Sequence, residues 1–243
     1  MPPRRPESII RTPERTHCNC RKSATGMKMD SWKKIWPWLK DSPVVRRDIY
    51  LEGELVVLRP KRMDDAGNDY LWRTDPELAG LDATRPINLT LREYTRYHRD
   101  DLEFPSPWSV RLAIDSRDGR HIGNCMYYDI DYNKHHAELG IMIGDREYWG
   151  KGYGTDAVRT LLHHVFTGTT IERIYLHTLA DNARAQRAFE KAGFRPVKKV
   201  RRDGYNFVFM EVRRADWLKQ AGVPEAERQP VSAASETAAQ TSP

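Results

Sequence analysis

The stretch Glu138-Leu-Gly-Ile-Met-Ile-Gly-Asp-Arg-Glu-Tyr-Trp-Gly-Lys-Gly-Tyr-Gly-Thr-Asp-Ala157 decides how the rest of the chain is read. Leu139 to Ile143 is a short apolar run, the mark of a buried strand, and Gly144-Asp145 ends it. Trp149-Gly150-Lys151-Gly152-Tyr153-Gly154 follows, and then Ala157, Val158, Leu161, Leu162, Val165 and Phe166 recur at helical spacing. The order is strand, glycine-rich turn, amphipathic helix. It presents free backbone N–H groups at the positive end of a helix, where phosphate groups bind. Spacing excludes two phosphate-binding classes. A P-loop would need Gly at Asp145 and Ser or Thr at Gly152, and a dinucleotide fingerprint counted from Gly150 would need Gly at Thr155. What remains is x-x-G-x-G opening a helix, or a turn whose glycines serve its geometry alone.

A second stretch bears on that choice. Leu179-Ala-Asp-Asn-Ala-Arg-Ala-Gln-Arg-Ala-Phe-Glu-Lys-Ala-Gly-Phe194 lies one helix and one strand downstream, with Asp181 or Asn182 able to cap a helix and Gly193 able to end it. The two stretches, in this order and at this separation, resemble the acyl-CoA pyrophosphate loop and the N-x-x-[AS]-x-x-x-[YFL]-E-K-x-G-F element of the GNAT N-acetyltransferase superfamily. Asn182, Ala185, Phe189, Glu190, Lys191, Gly193 and Phe194 fit the second element in register. The likeness covers about residues 50 to 215 and is greatest to the branch containing ribosomal-protein alanine and spermidine N-acetyltransferases. It implies acetyl-CoA as co-substrate and a primary amine as acceptor, either a protein N-terminus or a small amine. Transfer would be direct, without a metal. The cofactor-binding set it implies is Ile141, Met142, Ile143, Trp149, Gly150, Lys151, Gly152, Tyr153, Gly154, Thr155, Asn182 and Phe189. A non-catalytic acyl-CoA-binding or sensing domain on the same fold is the alternative, as is an acetyltransferase for polyamines or antibiotics.

Composition sets the bounds. The chain has 243 residues, 39% of them hydrophobic and 30% charged, which suits one globular domain with tails. No apolar run reaches the ~18 residues that a membrane span needs, and no secretory segment opens the chain, so a cytoplasmic protein is expected. The net charge of +6 is unevenly placed. Residues 1–49 hold 12 Lys/Arg against 5 Asp/Glu, and the remainder is nearly balanced, so the domain does not read as a DNA-binding surface. Cys18, Cys20 and Cys125 make no disulfide framework, and His17 with Cys18 and Cys20 lacks the fourth ligand of a zinc site.

The expected organisation is a basic N-terminal extension over 1–49, a domain over 50–218 and a tail over 219–243 that is Pro-, Ser-, Ala- and Glu-rich. Within the extension, Trp32, Ile35, Trp36 and Leu39 share one helical face and suit docking on the domain or a partner subunit, or a weak hold on an anionic membrane surface. The domain reads as α/β, a mixed sheet of about seven strands with helices on both faces, in a monomer or homodimer. Its strands are expected near 54–60, 108–115, 121–128, 137–143, 173–178, 194–201 and 205–212, the last two joined by an Asp203-Gly204 hairpin turn. Asp64-Asp65 is expected to cap the first helix.

Acyl transfer to an amine needs a neutral nitrogen held near the thioester carbonyl, a donor for the oxyanion and a route for the proton. Glu138 shares a strand face with Gly140 and Met142, and relatives carry an acid here, so it is the candidate base, directly or through water. A salt-bridged strand residue is the alternative. The resemblance implies that the central strand parts from its neighbour and frees an N–H near Ile141 to Ile143 for the oxyanion. Many relatives have a tyrosine acid where Phe189 stands; Phe189 cannot serve, leaving Tyr127, Tyr128, Tyr205 or solvent. Trp72, Arg85 and Tyr97 are weak candidates for the acceptor pocket. Cys125 as an acyl-enzyme nucleophile has no histidine at a telling spacing, and His163, His164 and His177 read as structural.

Overall fold

The computed structural model describes residues 49–222. The Trp-rich segment, His17, Cys18, Cys20 and most of the C-terminal tail lie outside the described residues.

Eight strands form one sheet in the order β1-β2-β3-β4-β5-β6-β8-β7. They are β1 Leu51–Glu52, β2 Val56–Pro60, β3 Ser109–Ser116, β4 His121–Asp131, β5 His136–Ile143, β6 Arg173–Leu179, β7 Arg195–Arg202 and β8 Tyr205–Arg213. The strand beyond the expected seven is β1. Only two residues long, it folds back on β2 through the Gly53 N–H donating to the Val56 carbonyl, and two residues carry no readable period. Every pairing is antiparallel except β5 with β6, which the intervening helix forces to be parallel. The β7–β8 hairpin turns at Asp203-Gly204, both at positive φ (53° and 84°), as a two-residue turn between twisted strands requires.

Among the described residues, six α-helices flank the sheet: α1 Ala66–Thr74, α2 Pro76–Leu81, α3 Leu91–Glu103, α4 Tyr153–Gly168, α5 Ala183–Lys191 and α6 Arg214–Gln220. The helix α4 is the centre of the core. Its Ala157, Val158, Leu161, Leu162, Val165 and Phe166 are all buried against one sheet face, built from Val56, Leu58, Leu112, Ile114, Ile122, Leu139, Ile174, Leu176 and Met210. Each large apolar side chain fully buried there contributes about 1.5–3 kcal/mol. Cys125 and Tyr127 belong to this face and are 2% and 0% exposed.

The opposite face meets α1 and α3 through charge. Arg59 alternates away from Val56 and Leu58. It donates to Asp115 at 2.6 Å and forms a two-pronged pair with Asp65 at 2.8 and 2.9 Å. Asp65 therefore does not cap α1 as expected. A 3-10 turn at Met63–Asp65 intervenes, and the carboxylate accepts from Arg59 and from the Arg62 N–H. Burial pushes the Asp65 carboxyl up, but the Arg59 hydrogen bonds, the Arg62 N–H and nearby Lys61 outweigh it and hold it at about 2. Lys61 reaches Asp69 at 2.6 Å, and His98 of α3 donates to the Arg62 carbonyl at 2.8 Å.

Candidate active site

The functional geometry follows from where two strands part. Strands β5 and β6 pair only at His136↔Arg173, Ala137↔Ile174 and Glu138↔Tyr175. Beyond Glu138, β5 stays paired with β4 out to Ile143, and β6 stays paired with β8 out to Leu179. The edge of Leu139–Ile143 that faces β6 has no strand partner there. This is the fork that the resemblance implied and that the apolar run alone could not reveal.

A cavity of about 320 Å³ occupies the fork. Ile141, Met142 and Ile143 line one side, and Asn182, Ala185, Ala188 and Phe189 of α5 line the other. Trp149, Gly150, Gly152, Gly154 and Thr155 form its end, and Leu78, Leu81 and Asp82 its rim. The structure thus brings together ten of the twelve residues in the expected cofactor set. Lys151 is exposed and Tyr153 packs edge-on against Tyr148 beside the core (centroids 4.8 Å, 85°), so neither side chain lines the cavity.

The cavity's end is the N-terminus of α4. Gly152 is its cap, at φ +95° and ψ −16°, a conformation that costs any residue with a Cβ. No side chain caps the helix, which leaves its first N–H groups facing the glycine turn. An acid in the first turn, Asp156, would oppose an anion there, but it is turned to another task. It accepts from the N–H groups of Glu54, Leu55 and Val56 at 3.2, 2.7 and 3.1 Å, tying the start of β2 to the helix. Asn182 caps α5, accepting from Ala185 N–H at 3.1 Å.

Three cations stand on the cavity wall: Lys191, read from the sequence only as a residue of the second element, and Arg184 and Arg187, which were not singled out there. Their i, i+3, i+7 spacing on α5 was visible, but the near-zero charge of the domain as a whole hid a local cluster. The Arg184 guanidinium lies 3.6 Å from the Trp149 ring centroid, and partial desolvation lowers its proton affinity. The indole N–H of Trp149 in turn donates to the Ile143 carbonyl at 2.6 Å, closing one end of the fork.

Glu138 stands where the fork begins, on the face away from α4. It does not line the cavity. Its carboxylate meets Nδ1 of His177 at 2.9 Å, with only 13% of the Glu138 side chain and 18% of the His177 side chain exposed. Tyr128 is its register partner on β4; burial and then the charge of Glu138 push that phenol well above its ordinary range. His177, which reads as structural in the sequence, is therefore in direct contact with Glu138. Asp82 on the rim is pulled upward by surrounding protein and downward by Arg73, but half of its side chain reaches solvent, which screens both effects.

The other candidates separate cleanly. Burial pushes the Cys125 thiol up to about 12, so it is protonated and inert at neutral pH. Tyr127 is fully buried in the core and Tyr205 sits at the β7–β8 turn. Trp72 is buried and packs at a tilt against His121 (centroids 4.8 Å, 58°), a packing role, while Arg85 and Tyr97 are exposed. Among the described residues there is no cluster of His, Cys, Asp and Glu fit to hold a metal, and no helix is long and apolar enough to cross a membrane.

A mixed sheet that forks beside a glycine-opened helix, with a basic cavity in the fork, defines an acyltransferase class of protein. The family model described as an acetyltransferase (GNAT) domain matches residues 56–195, and the chain belongs to that family. It is 29% identical over 130 residues to an uncharacterized N-acetyltransferase p20 of Bacillus licheniformis, covering 51% of this chain and 70% of that protein. It is 30% identical over 84 residues to the spermidine N(1)-acetyltransferase of Vibrio cholerae, covering 35% of this chain and 48% of that enzyme, less than half its length. Among solved structures, the spermidine N-acetyltransferase of Vibrio cholerae in complex with CoA and spermine has the same fold, with TM-score 0.60 and 19% identity over 67% of this chain and 98% of that one. An aminoglycoside acetyltransferase in complex with coenzyme A does too, with TM-score 0.57 and 22% identity over 68% and 99%.

Proposed function

We propose that the chain moves the acetyl group of acetyl-CoA directly to a primary amine bound on the Glu138 side of the fork. The observation that carries this reading is the cavity between β5 and α5: a helix N-terminus without a side-chain cap, an αL glycine and three cations converge on it. That is the chemistry a pyrophosphate and a further phosphate require. The pantetheine arm would run along the unpartnered edge of β5, where an N–H of the Ile141 to Ile143 stretch would face the developing oxyanion. Glu138 would direct the proton that the ammonium must lose, itself or through a neighbour.

The acceptor in this reading is a small cationic amine. Asp82, Asp129 and Glu138 all push the Tyr128 phenol in the same direction, so three carboxylates stand within electrostatic reach of one point. The names of two relatives, a spermidine and an aminoglycoside acetyltransferase, are in keeping with that. A protein N-terminus is the second reading. It is favoured by the aromatic row Tyr175, Phe207 and Phe209 beside Glu138, whose apolar contact suits a peptide more than a polyamine.

The test is a thiol-release assay with acetyl-CoA over polyamines, aminoglycosides and short peptides with free N-termini. Turnover of one acceptor class supports the reading and selects between the two acceptors. Tight CoA binding with no turnover on any of them would favour an acyl-CoA sensor and refute it.

A further inference from the structure

The fork has two arms, and each contributes one side chain on the same sheet face. Glu138 is the last residue of β5 paired to β6, and His177 lies two residues past Glu138's register partner Tyr175 on β6. Alternation therefore puts both side chains on the face away from α4, astride the point where the strands separate. The 2.9 Å contact between Glu138 Oε1 and His177 Nδ1 bridges the arms across 39 residues of sequence.

We propose that His177 Nε2, and not the Glu138 carboxylate, is the atom that receives the proton of the acceptor amine, with Glu138 acting as its positioning residue. The inference rests on the amine-acetylation reading above and names the proton acceptor of that same site. Two observations lead to it. The carboxylate is already engaged by His177 Nδ1, a fixed donor on the other arm of the fork. A carboxylate can only accept, so Nδ1 of the neutral ring carries the hydrogen, which leaves the lone pair on Nε2. Among the described residues no group hydrogen-bonds to Nε2.

The ring cannot readily turn away from this arrangement. Phe209 meets it at 5.2 Å and 63°, Tyr175 at 6.2 Å and 88°, and Phe207 at 6.2 Å and 82°. Three aromatic neighbours from β6 and β8 thus hold the imidazole while the carboxylate on β5 sets its tautomer, the division of labour of a base and its orienting acid. Among the described residues, the charged and titratable groups around the ring are Glu138 on β5, Tyr128 and Asp129 on β4, Tyr175 on β6 with Arg202 near it, Glu211 on β8 ion-paired to Arg173 and Arg213, and Lys198 on β7 over the Phe209 ring.

The step balances without another reactant. The acceptor ammonium gives one proton to Nε2, and the freed nitrogen pair forms a bond to the thioester carbonyl carbon. The carbon–sulfur bond then breaks with its electron pair on sulfur. The second nitrogen proton passes to that sulfur to give the free thiol, and the imidazolium returns its proton to solvent. One ammonium and one thioester become one amide, one thiol and one released proton.

The test compares His177→Asn and Glu138→Gln with the unaltered full-length protein. Two readouts are used: kcat against pH on an accepted amine, and CoA affinity by calorimetry. Asparagine can still donate to Glu138 but has no base. His177→Asn is expected to lower kcat by ~10²–10⁴-fold, the usual worth of a general base, with CoA affinity within about twofold. Its deficit should shrink as rising pH deprotonates the amine in bulk water. Glu138→Gln is expected to retain more activity than His177→Asn. It keeps the Nε2 lone pair and loses only the anion that fixes the ring's tautomer, so its loss should fall on kcat, with CoA affinity within about twofold. A His177→Asn variant with the unaltered kcat and pH limb would make the ring a wall and overturn the proposal. So would Glu138→Gln matching the loss of His177→Asn, since the carboxylate would then be the base. Absence of turnover by the unaltered protein with CoA still bound would instead overturn the amine-acetylation reading, and this assignment with it.

Discussion

Gly152→Ala and Gly152→Asp, measured side by side, separate the backbone role of the α4 cap from its electrostatic one. At φ +95° an alanine should cost about 1–2 kcal/mol of stability. The added Cβ would lie 3.4 Å from Leu55 Cδ1, an ordinary contact, so no clash adds to that cost. For a domain of this size the melting temperature should fall by roughly 3–8 °C in both variants. Aspartate brings the same strain and also a negative charge within ~5 Å of any phosphate seated on the helix N-terminus. Coulomb repulsion there is about 1–3 kcal/mol for effective dielectric constants between bulk water and a protein surface, or ~5–150-fold in affinity. Calorimetric titration with CoA should therefore show Gly152→Asp binding that much more weakly than Gly152→Ala, with the gap narrowing in high salt. Equal dissociation constants for the two variants would refute the placement of the phosphates at this helix end.

Four further outcomes are expected. Arg187→Ala and Lys191→Ala should each weaken CoA binding severalfold with little change in melting temperature, whereas Arg184→Ala should also disturb the Trp149 indole it stacks on, seen as a shift in tryptophan fluorescence. Asp65 is depressed in the folded state, so the stability it contributes is present above its unfolded value near 4. About 2–3 kcal/mol should be lost as pH falls from ~4 to ~2. Arg59→Ala, which leaves Asp65 and Asp115 buried without their cation, should cost ~3–5 kcal/mol at pH 7 in urea denaturation and flatten that acid dependence. Cys125 should resist alkylation in the native protein, and Cys125→Ala should keep near-full kcat, excluding a covalent acyl-enzyme at that sulfur.

What could be read from the sequence was what local periodicity records. The helix α4 announced itself by its apolar spacing, and the β7–β8 turn by Asp203-Gly204. The fork was a different matter. Leu139 to Ile143 reads as buried apolar strand whether β6 runs beside it or departs, because the signal reports burial and not the partner. The Glu138–His177 contact depends on parallel register across α4, which no short-range pattern encodes. Asp65 sat at a capping position yet bonds Arg59, because a buried guanidinium needs carboxylates more than a helix start needs a cap. The Arg184, Arg187 and Lys191 stripe was in plain sight and lost only by summing charge over the whole domain.

The three bonds that Asp156 accepts from residues 54–56 make the first turn of α4 and the sheet edge a single mechanical unit. Whatever fixes the glycine turn against the helix also holds that carboxylate in place, and the carboxylate is what keeps those amides from water. Free-energy coupling is reciprocal, so to the extent that filling the cavity slows amide hydrogen exchange at Glu54, Leu55 and Val56, loosening the β1–β2 edge weakens the ligand by the same factor. An edge that never touches the ligand is thereby a reporter of occupancy and a place from which affinity can be tuned.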